Sequence, residues 1–484
     1  MSHRQRLTLL AAILGAGIVA IDQTIVNVAL PAIERDLGGG LASQQWVSNA
    51  YLLTLASLIL IGGSLGDLYG ERLAFVLGVS AFGVCSIGCA LAPTIQVLIA
   101  ARALQGAAAA LLLPSLLGII VGAFTESERG SAIGSYTAWG GVALIIGPLV
   151  GGLIVDHASW RWVFALNVPV VAAALLLVVH AVPPRRPAAS RHIDGLGALL
   201  GVVGLAGVVF GLIEQPRYGW ATPVIVVPIA VGAACLVVLI AHERRTPYPM
   251  LRGDLFGRRN FVVGNLETLA LYGGLSITFF FLVIFLQQVA GYSPLQSGLS
   301  TLPTTIVTFV LARRFGALAD RFGPRLFVSL GPLVAAVGVA LLLRTGRDTS
   351  YFGDLLPAMV VFALGLSVAL APLTATVMAG ADETDAGTAS AINNAFARMA
   401  GLVGVPVVGA LVAASLSGDT FAPDHQSVRA FHQAIVICAV LVALGGVAGL
   451  VGITNPRRTV SAEGCPGGQL CGVPEPAVRA AADR

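Results

Sequence analysis

Gly63-Ser-Leu-Gly-Asp67-Leu-Tyr-Gly70-Glu-Arg72 stands between two long apolar runs, and 253 residues later Gly316-Ala-Leu-Ala-Asp320-Arg-Phe-Gly323-Pro-Arg325 stands between two more. A second pair keeps nearly the same offset: Gly130-Ser-Ala matches Gly387-Thr-Ala, and Pro148 matches Pro406, each proline inside a glycine-rich run. Two matches at one spacing mark a duplicated unit. Both copies of the first motif fall on the same side of their runs, so the two units are parallel, related by an axis along the runs.

Outward from the motif, the chain is almost entirely apolar. Its 484 residues are 56% hydrophobic and 11% charged, with a mean hydropathy of +0.88, which excludes a soluble globular protein. A helix needs roughly 20 apolar residues to cross a bilayer. Runs of that kind lie at about 7–31, 44–66, 73–92, 95–123, 130–155, 161–182, 194–214, 222–242, 261–289, 296–318, 326–343, 354–379, 387–416 and 430–453. The pattern predicts an all-α membrane protein with fourteen transmembrane helices, in two pseudo-symmetric six-helix bundles plus an inserted two-helix hairpin. The bundles span 1–182 and 261–453, linkers and the hairpin occupy 183–260, and a Gly- and Pro-rich tail, 454–484, is expected to be disordered and cytoplasmic.

All 28 basic residues are Arg, and no Lys occurs. A P-loop lysine, a Schiff-base lysine and a lysine proton carrier are therefore absent, so uphill work must draw on an ion gradient or a partner rather than on ATP bound by this chain. The net charge of +4 is too small and dispersed for nucleic acid. Between the runs, eighteen Arg fall on the side of the N-terminus and six on the other, which predicts both termini in the cytoplasm. One loop, 380–386, departs from the bias with Asp382, Glu383 and Asp385 and no Arg. The first run follows Arg4 and Arg6 like a signal peptide, but it is long, contains Asp22 and lacks a cleavage pattern, so it reads as a retained helix. Cys85, Cys89, Cys235 and Cys438 read as small packing residues, and Cys465 and Cys471 as tail thiols. His180, His242, His425 and His432 stand at run ends without metal spacing. Gly15-Ala-Gly17-Ile-Val-Ala20 fits a dinucleotide fingerprint only formally, because no strand precedes it. The acidic loop could serve a membrane prenyltransferase, but that chemistry wants a second acidic motif nearby and none exists. No catalytic, metal or cofactor set is expected.

Four ionisable residues lie deep inside runs: Asp22, Arg102, Glu267 and Arg398. Each costs roughly 2.5–3.5 kcal/mol at a helix centre, so each calls for a partner or a wet cavity. Asp22 lies nine residues before the end of run 1, and Arg102 seven residues after the start of antiparallel run 4. At about 1.5 Å per residue their depths differ by about 3 Å, and they can pair. The pair is either a static packing element or a proton site in which Arg102 tunes Asp22. Glu267, about seven residues into run 9, is a second proton or cation site for an inward-facing cavity or a carboxylate reaching the interface. Arg398, near mid-depth, could neutralise Glu267 or bond carbonyls. Gly147, Pro148 and Gly151 make a closely packing, kinked helix, a candidate pivot. Asp67 is placed to cap the next helix or bond a neighbouring Arg, latching the halves. Asn27, Tyr51, Gln105, Tyr136, Trp139, Tyr272, Asn393 and Asn394 are candidates for the cavity wall, with Arg398.

These motifs together resemble the major facilitator superfamily, and within it the fourteen-helix drug:proton antiporters, over almost the whole chain. Asp22-Gln-Thr-Ile-Val-Asn27-Val-Ala-Leu-Pro31 is similar to that group's first-helix signature, and Gly63 to Arg72 to the superfamily loop after helix 2. Arg102-Ala-Leu-Gln105-Gly106 resembles the fourth-helix proton-coupling motif, Gly147-Pro148-Leu-Val-Gly151-Gly152 the antiporter motif, and Ile193-Asp194-Gly195-Leu-Gly197 the opening of the insert. Leu68 stands where a basic residue is usual, and Ala143 where Gly is usual. The resemblance implies a secondary transporter, not an enzyme, exporting hydrophobic or cationic drugs, antibiotics or dyes in exchange for protons by alternating access. It implies proton coupling by Asp22, Arg102 and Glu267, conformational roles for Gly63, Asp67, Gly70, Arg72, Gly147, Pro148, Gly151 and Asp320, and no cofactor beyond the proton gradient. The expected setting is a bacterial inner membrane, with the bilayer, protons and a small molecule as partners, no nucleic acid, and a monomeric chain. Export of an endogenous metabolite, self-made antibiotic or lipid is the alternative within the class; a membrane enzyme or sensor is the alternative outside it.

Overall fold

The computed structural model describes residues 1–183, 194–246, 253–379, 386–416 and 418–455. The acidic loop at 380–385, Ile193, and the tail from 456 lie outside the described residues. The helices are α1 (His3–Leu37), α2 (Gly40–Tyr69), α3 (Glu71–Ala90), α4 (Ile95–Ala123), α5 (Glu126–His157), the short α6 (Arg161–Ala165), α7 (Asn167–Ala181), α8 (Gly195–Tyr218), α9 (Pro223–Glu243), α10 (Arg259–Gln288), α11 (Pro294–Phe322), α12 (Pro324–Leu341), α13 (Leu356–Ala379), α14 (Ala386–Ala413) and α15 (His425–Gly452). Among the described residues, fourteen helical segments are long and apolar enough to span a bilayer, α6 and α7 together forming one of them, and they match the fourteen sequence runs one for one. The molecule is an all-α, multi-pass membrane protein.

With an even number of spans the described chain ends share one side, called here the near side; the opposite is the far side. Polar side chains fix where helices begin. Ser2 with Gln5 and Ser293 with Gln296 form reciprocal capping boxes on α1 and α11, and Thr94, Asp194 and Asp424 cap α4, α8 and α15. Prolines do not end the helices they sit in: Pro148 and Pro406 both lie within continuous helices, α5 and α14.

The duplicated motif makes the same near-side turn twice. Gly70 ends α2 and begins α3 at φ 94°, and Gly323 ends α11 and begins α12 at φ 88°. Two residues on, Arg72 Nη2 donates to the Val179 carbonyl at 3.0 Å in the last turn of α7, and the Arg325 guanidinium donates to the Leu450 carbonyl at 2.8 and 3.0 Å in the last turn of α15. Each Arg thus satisfies an orphan carbonyl at the negative end of its unit's last helix. Asp67 does not cap α3, because the cap falls on Gly70 and no side chain bonds there. Gly63 is different from Gly70: a Cβ there would meet Pro114 at 3.6 Å, an ordinary contact. Gly70→Ala should therefore destabilise by about 1–3 kcal/mol through forced positive φ, while Gly63→Ala should be close to neutral. Thermal unfolding of the purified protein in detergent, with equal midpoints for the two variants as the contrary result, checks this.

Packing divides the spans around a central seam. α5 packs on α1 and also on α11, and α2 packs on α4 and also on α14, so the first six and last six spans meet chiefly along two helix pairs, with α1 also touching α10 and α11. The inserted hairpin, α8 and α9, docks through α8 on both α2 and α14. Its anchor is an apolar cluster of Leu53, Leu205, Val209, Ile213 and Leu402, with Trp46 Nε1 donating to Glu214 at 2.8 Å. α9 leaves Val226, Val227, Val237 and Val238 exposed, a face suited to lipid.

Candidate functional site

Asp22 of α1 and Arg102 of α4 meet in the interior of the first six spans. Arg102 Nη1 donates to Asp22 Oδ2 at 2.6 Å, and the two side chains are 2% and 0% exposed. The same nitrogen donates to Gln105 Oε1 at 2.6 Å, and Arg102 Nε to the Val47 carbonyl at 3.1 Å. Asp22 Oδ1 accepts from Gln105 Nε2 and Asn167 Nδ2, each at 3.1 Å. Both amides also donate to Ser86 Oγ, at 2.8 and 3.3 Å. The Tyr51 ring covers the guanidinium at 4.3 Å, a cation–π contact. Helices α1, α2, α3, α4 and α7 thus share one polar network in an otherwise apolar bundle. An ion pair survives such burial only with further hydrogen bonds, and here Arg102 Nε and Nη1 and both Asp22 oxygens are bonded.

Gln105, expected at the cavity wall, belongs wholly to this network, because its side of α4 turns toward α1 and α3. Asn167 and Ser86 were not legible as site residues, being neutral and scattered in apolar runs.

A second charged centre lies on the seam. The Arg398 guanidinium of α14 has Tyr51 of α2, Tyr136 of α5 and Tyr272 of α10 within electrostatic range, and its buried Nε makes no hydrogen bond. The buried Tyr51 hydroxyl also has no partner. Four of the expected cavity residues, from both halves, are thus within electrostatic reach of one centre. The others spread out. Asn27 accepts from Ser48 at 3.3 Å, and Asn393 donates to Asn265 and Thr268 of α10 at 3.1 and 2.9 Å. Asn394 is exposed and bonds the Ser390 carbonyl of its own helix, and Trp139 is 54% exposed.

Glu267 does not meet Arg398. Its carboxylate is 0% exposed and both oxygens lack a partner. It lies beside Gly449 of α15, which also borders the Val328 carbonyl of α12; a side chain at 449 would collide with Glu267 Oε2. Depth counting fixed its height but not its bearing, and the bearing is into the last six spans rather than toward the seam.

On the far side the halves are closed against each other. α5 presents Pro148, Gly152 and Asp156, one turn apart, to the start of α11. Asp156 Oδ2 accepts from Ser293 Oγ at 2.8 Å and from the Leu295 N–H at 3.0 Å, a carboxylate on the positive end of a helix in the other half. Gly152 lies against the backbone of Pro294 and Leu295, and Gly298 against the backbone of Pro148. Gly147 and Gly151 face α1 instead, against Thr24 and Ile25. Gln287 Nε2 reaches the Val28 carbonyl at 3.0 Å, and the Leu41 N–H reaches the Asp419 carbonyl at 2.7 Å. These contacts between halves gather at the far ends of the spans, so the structure is closed on the far side.

Comparison with known proteins gives the same outline. The sequence model of the Major Facilitator Superfamily matches residues 12–405 and 315–467. The chain is 36% identical over 399 residues to the puromycin resistance protein pur8 of Streptomyces alboniger, covering 81% of this chain and 78% of that one. It is 33% identical over 470 residues to the multidrug resistance protein Stp of Mycobacterium tuberculosis, covering 95% and 86%. Among solved structures, a bacterial homologue of the human lysosomal transporter Spinster, inward-facing and unoccupied, superposes with a TM-score of 0.67 at 15% identity over 93% of this chain and 97% of that one.

Proposed function

The chain belongs to the Major Facilitator Superfamily, and on that premise we propose that it is a proton-coupled exporter of hydrophobic small molecules such as drugs, antibiotics and dyes. It acts as a transporter rather than an enzyme, and the proton gradient alone drives it. The near side, which carries the Arg excess, faces the cytoplasm of a bacterial cell, and the monomer works by alternating access along the seam. The observation that carries the reading is the buried Asp22–Arg102 pair, an ion pair inside a membrane bundle. In the far-closed state Asp22 releases its proton toward the cytoplasm and pairs with Arg102. Substrate then enters from the near side. Reopening to the far side lets Asp22 take a proton, which loosens its hold on α4 and resets the bundle. Gly147 and Gly151 let α5 slide closely on α1 during that change, and the paired turns at Gly70 and Gly323, with Arg72, Asp67 and Asp320 beside them, move with the near-side gate.

Glu267 is a second proton carrier, enclosed within the last six spans. Because it does not line the seam, Glu267→Gln should leave equilibrium substrate binding within about two-fold, a change under about 0.5 kcal/mol, yet flatten the dependence of transport on the imposed pH gradient. Lost binding with an unchanged gradient response would contradict this assignment.

The reading as a whole is tested by uptake of a labelled compound panel into inverted vesicles enriched in the protein. At least one hydrophobic compound should accumulate, and a protonophore should collapse the accumulation. Absence of transport across the panel, or accumulation indifferent to the protonophore, would overturn it.

A further inference from the structure

At the near ends of α1, α3, α4 and α7 the first unit encloses a cavity of about 370 Å³. Its wall includes the Ser2 cap with Arg4 and Thr8 of α1, Glu71 and Arg72 at the start of α3, and apolar residues at the ends of α4 and α7. Neither arginine is saturated by the protein. Among the described residues the Arg4 guanidinium makes no hydrogen bond or ion pair, and Arg72 commits only Nη2, to the Val179 carbonyl at 3.0 Å. The Glu71 side chain lies against Gly118 of α4, one turn deeper than the Gly122 wall. Two guanidinium groups thus share the cavity with one carboxylate.

The duplicated unit supplies an internal comparison. At the matching corner of the second unit the chain closes on itself: Arg325 donates twice to the Leu450 carbonyl, and Asn455 lies against Gly323 and accepts from the Arg325 N–H at 3.0 Å. Asn260, at the start of α10, donates to the Thr454 carbonyl at 2.9 Å. After α7 the corresponding residues by sequence are Val182, Pro183 and Pro184, which bring no polar side chain. The arginine pair of the first unit is left facing a space that its counterpart fills.

We propose that this cavity binds the phosphodiester headgroup of an anionic phospholipid of the near leaflet, with Arg4 and Arg72 on the phosphate. Basic pockets between transmembrane helices at the membrane surface suit such headgroups, and guanidinium forks match phosphate oxygens. The surface beyond the cavity suits the rest of the lipid. Arg72 meets Val179 and Gly83 lies against Val171, so α3 and α7 run antiparallel with Leu73 level with Val179 and Leu77 level with Leu176. All four of those side chains are exposed, an apolar strip leading from the level of the cavity toward the bilayer interior. A soluble phosphate ester would leave the strip unused; an acyl chain covers it. Arg72 then holds the end of α7 and the lipid phosphate together. The site lies away from the seam, and the inference stands apart from the exporter reading.

The test is native mass spectrometry of the full-length protein titrated with phosphatidylglycerol or phosphatidylcholine of identical acyl chains. The first phosphatidylglycerol should bind at least about fivefold tighter than phosphatidylcholine, the range of one Arg at a lipid phosphate. Arg4→Gln should erase most of that preference, and Arg4→Lys should keep most of it. Arg6→Gln, which removes the same charge from the same helix end but does not line the cavity, should change it by less than about twofold. Arg4 has no bond to lose; should Arg4→Gln nonetheless unfold early, a larger rise in the native thermal midpoint with phosphatidylglycerol than with phosphatidylcholine supports the site without a variant. Equal affinity for the two lipids, or equal effects of Arg4→Gln and Arg6→Gln, would overturn the proposal. Binding of glycerophosphoglycerol, the same headgroup without acyl chains, as tightly as the lipid would assign the cavity to a soluble phosphate ester and overturn it as well.

Discussion

Asp22→Asn is expected to reduce substrate-driven proton release by at least about a hundredfold, while substrate binding changes by only a few-fold. The asparagine keeps the shape of the side chain and can still accept from Asn167 or Gln105, but it carries no exchangeable proton, so it imitates the protonated state permanently. Two physical terms point the same way. The proton carried by the network is gone, and Arg102 keeps its charge in a site where its counterion has vanished, a change of the kind that costs about 3–5 kcal/mol when a buried pair is broken. Since each 1.4 kcal/mol is about a factor of ten, the second term alone accounts for a loss of two orders of magnitude or more in the step that needs the deprotonated pair. Downhill movement of substrate, which does not need proton exchange, should persist at a reduced rate. A control one layer out, Ser86→Ala, removes a hydroxyl that only receives from the two amides, and coupling should survive it. If Asp22→Asn coupled as well as the native protein, the network would be a packing element, and the proton would have to be carried elsewhere.

The far-side gate carries the second large effect. Gly298→Trp should hold the far side open and lower transport by about one to two orders of magnitude. At Gly298 even a Cβ meets the backbone of Pro148, and at Gly152 it meets the backbone of Leu295, so neither clash can be relieved by turning a side chain. Overpacking of this kind costs about 1–3 kcal/mol in a soluble core, and more for a full indole, which is enough to disfavour the far-closed state. Gly140, on α5 with Gly152, has nothing within 4 Å, so Gly140→Ala should be silent. Labelling distinguishes a jammed gate from a misfolded protein. In a cysteine-free background, Asn27→Cys should be shielded from a membrane-impermeant maleimide added on the far side and become reactive when Gly298→Trp is present. Unchanged labelling with full transport would contradict the gate.

Much of the architecture was legible because lipid imposes simple rules. Each span needed a long apolar run, and the repeat of Gly63–Arg72 at Gly316–Arg325 gave the parallel halves before any packing was known. The contact of Asp22 with Arg102 was legible too, since a charge deep in a run is rare and antiparallel helices convert residue number into depth. What stayed hidden shares a physical cause. Depth counting gives height along a helix but not azimuth, and in lipid the apolar moment that fixes azimuth in soluble helices is nearly absent. Glu267 therefore turned into the last six spans instead of facing the seam, and Gln105 joined the buried Asp22–Arg102 network. Asp156 went unread in the sequence, being a single charge at a helix end, and only the placement of α11 reveals it as a bridge between halves. The bonds of Arg72 and Arg325 to the last helix of each unit were hidden for the same reason, because the repeat pairs the two arginines without placing their partners.

The central claim is that substrate leaves in exchange for a proton carried at the Asp22–Arg102 network. It is tested most directly by reconstituting the purified protein in liposomes with a pH-sensitive dye and adding a transported compound on the near side. A proton should appear on that side as the compound moves, at a fixed ratio, and the proton signal should vanish in Asp22→Asn while the protein still binds the compound. Movement of the compound with no proton signal in the native protein, or an undiminished proton signal in Asp22→Asn, would contradict the account.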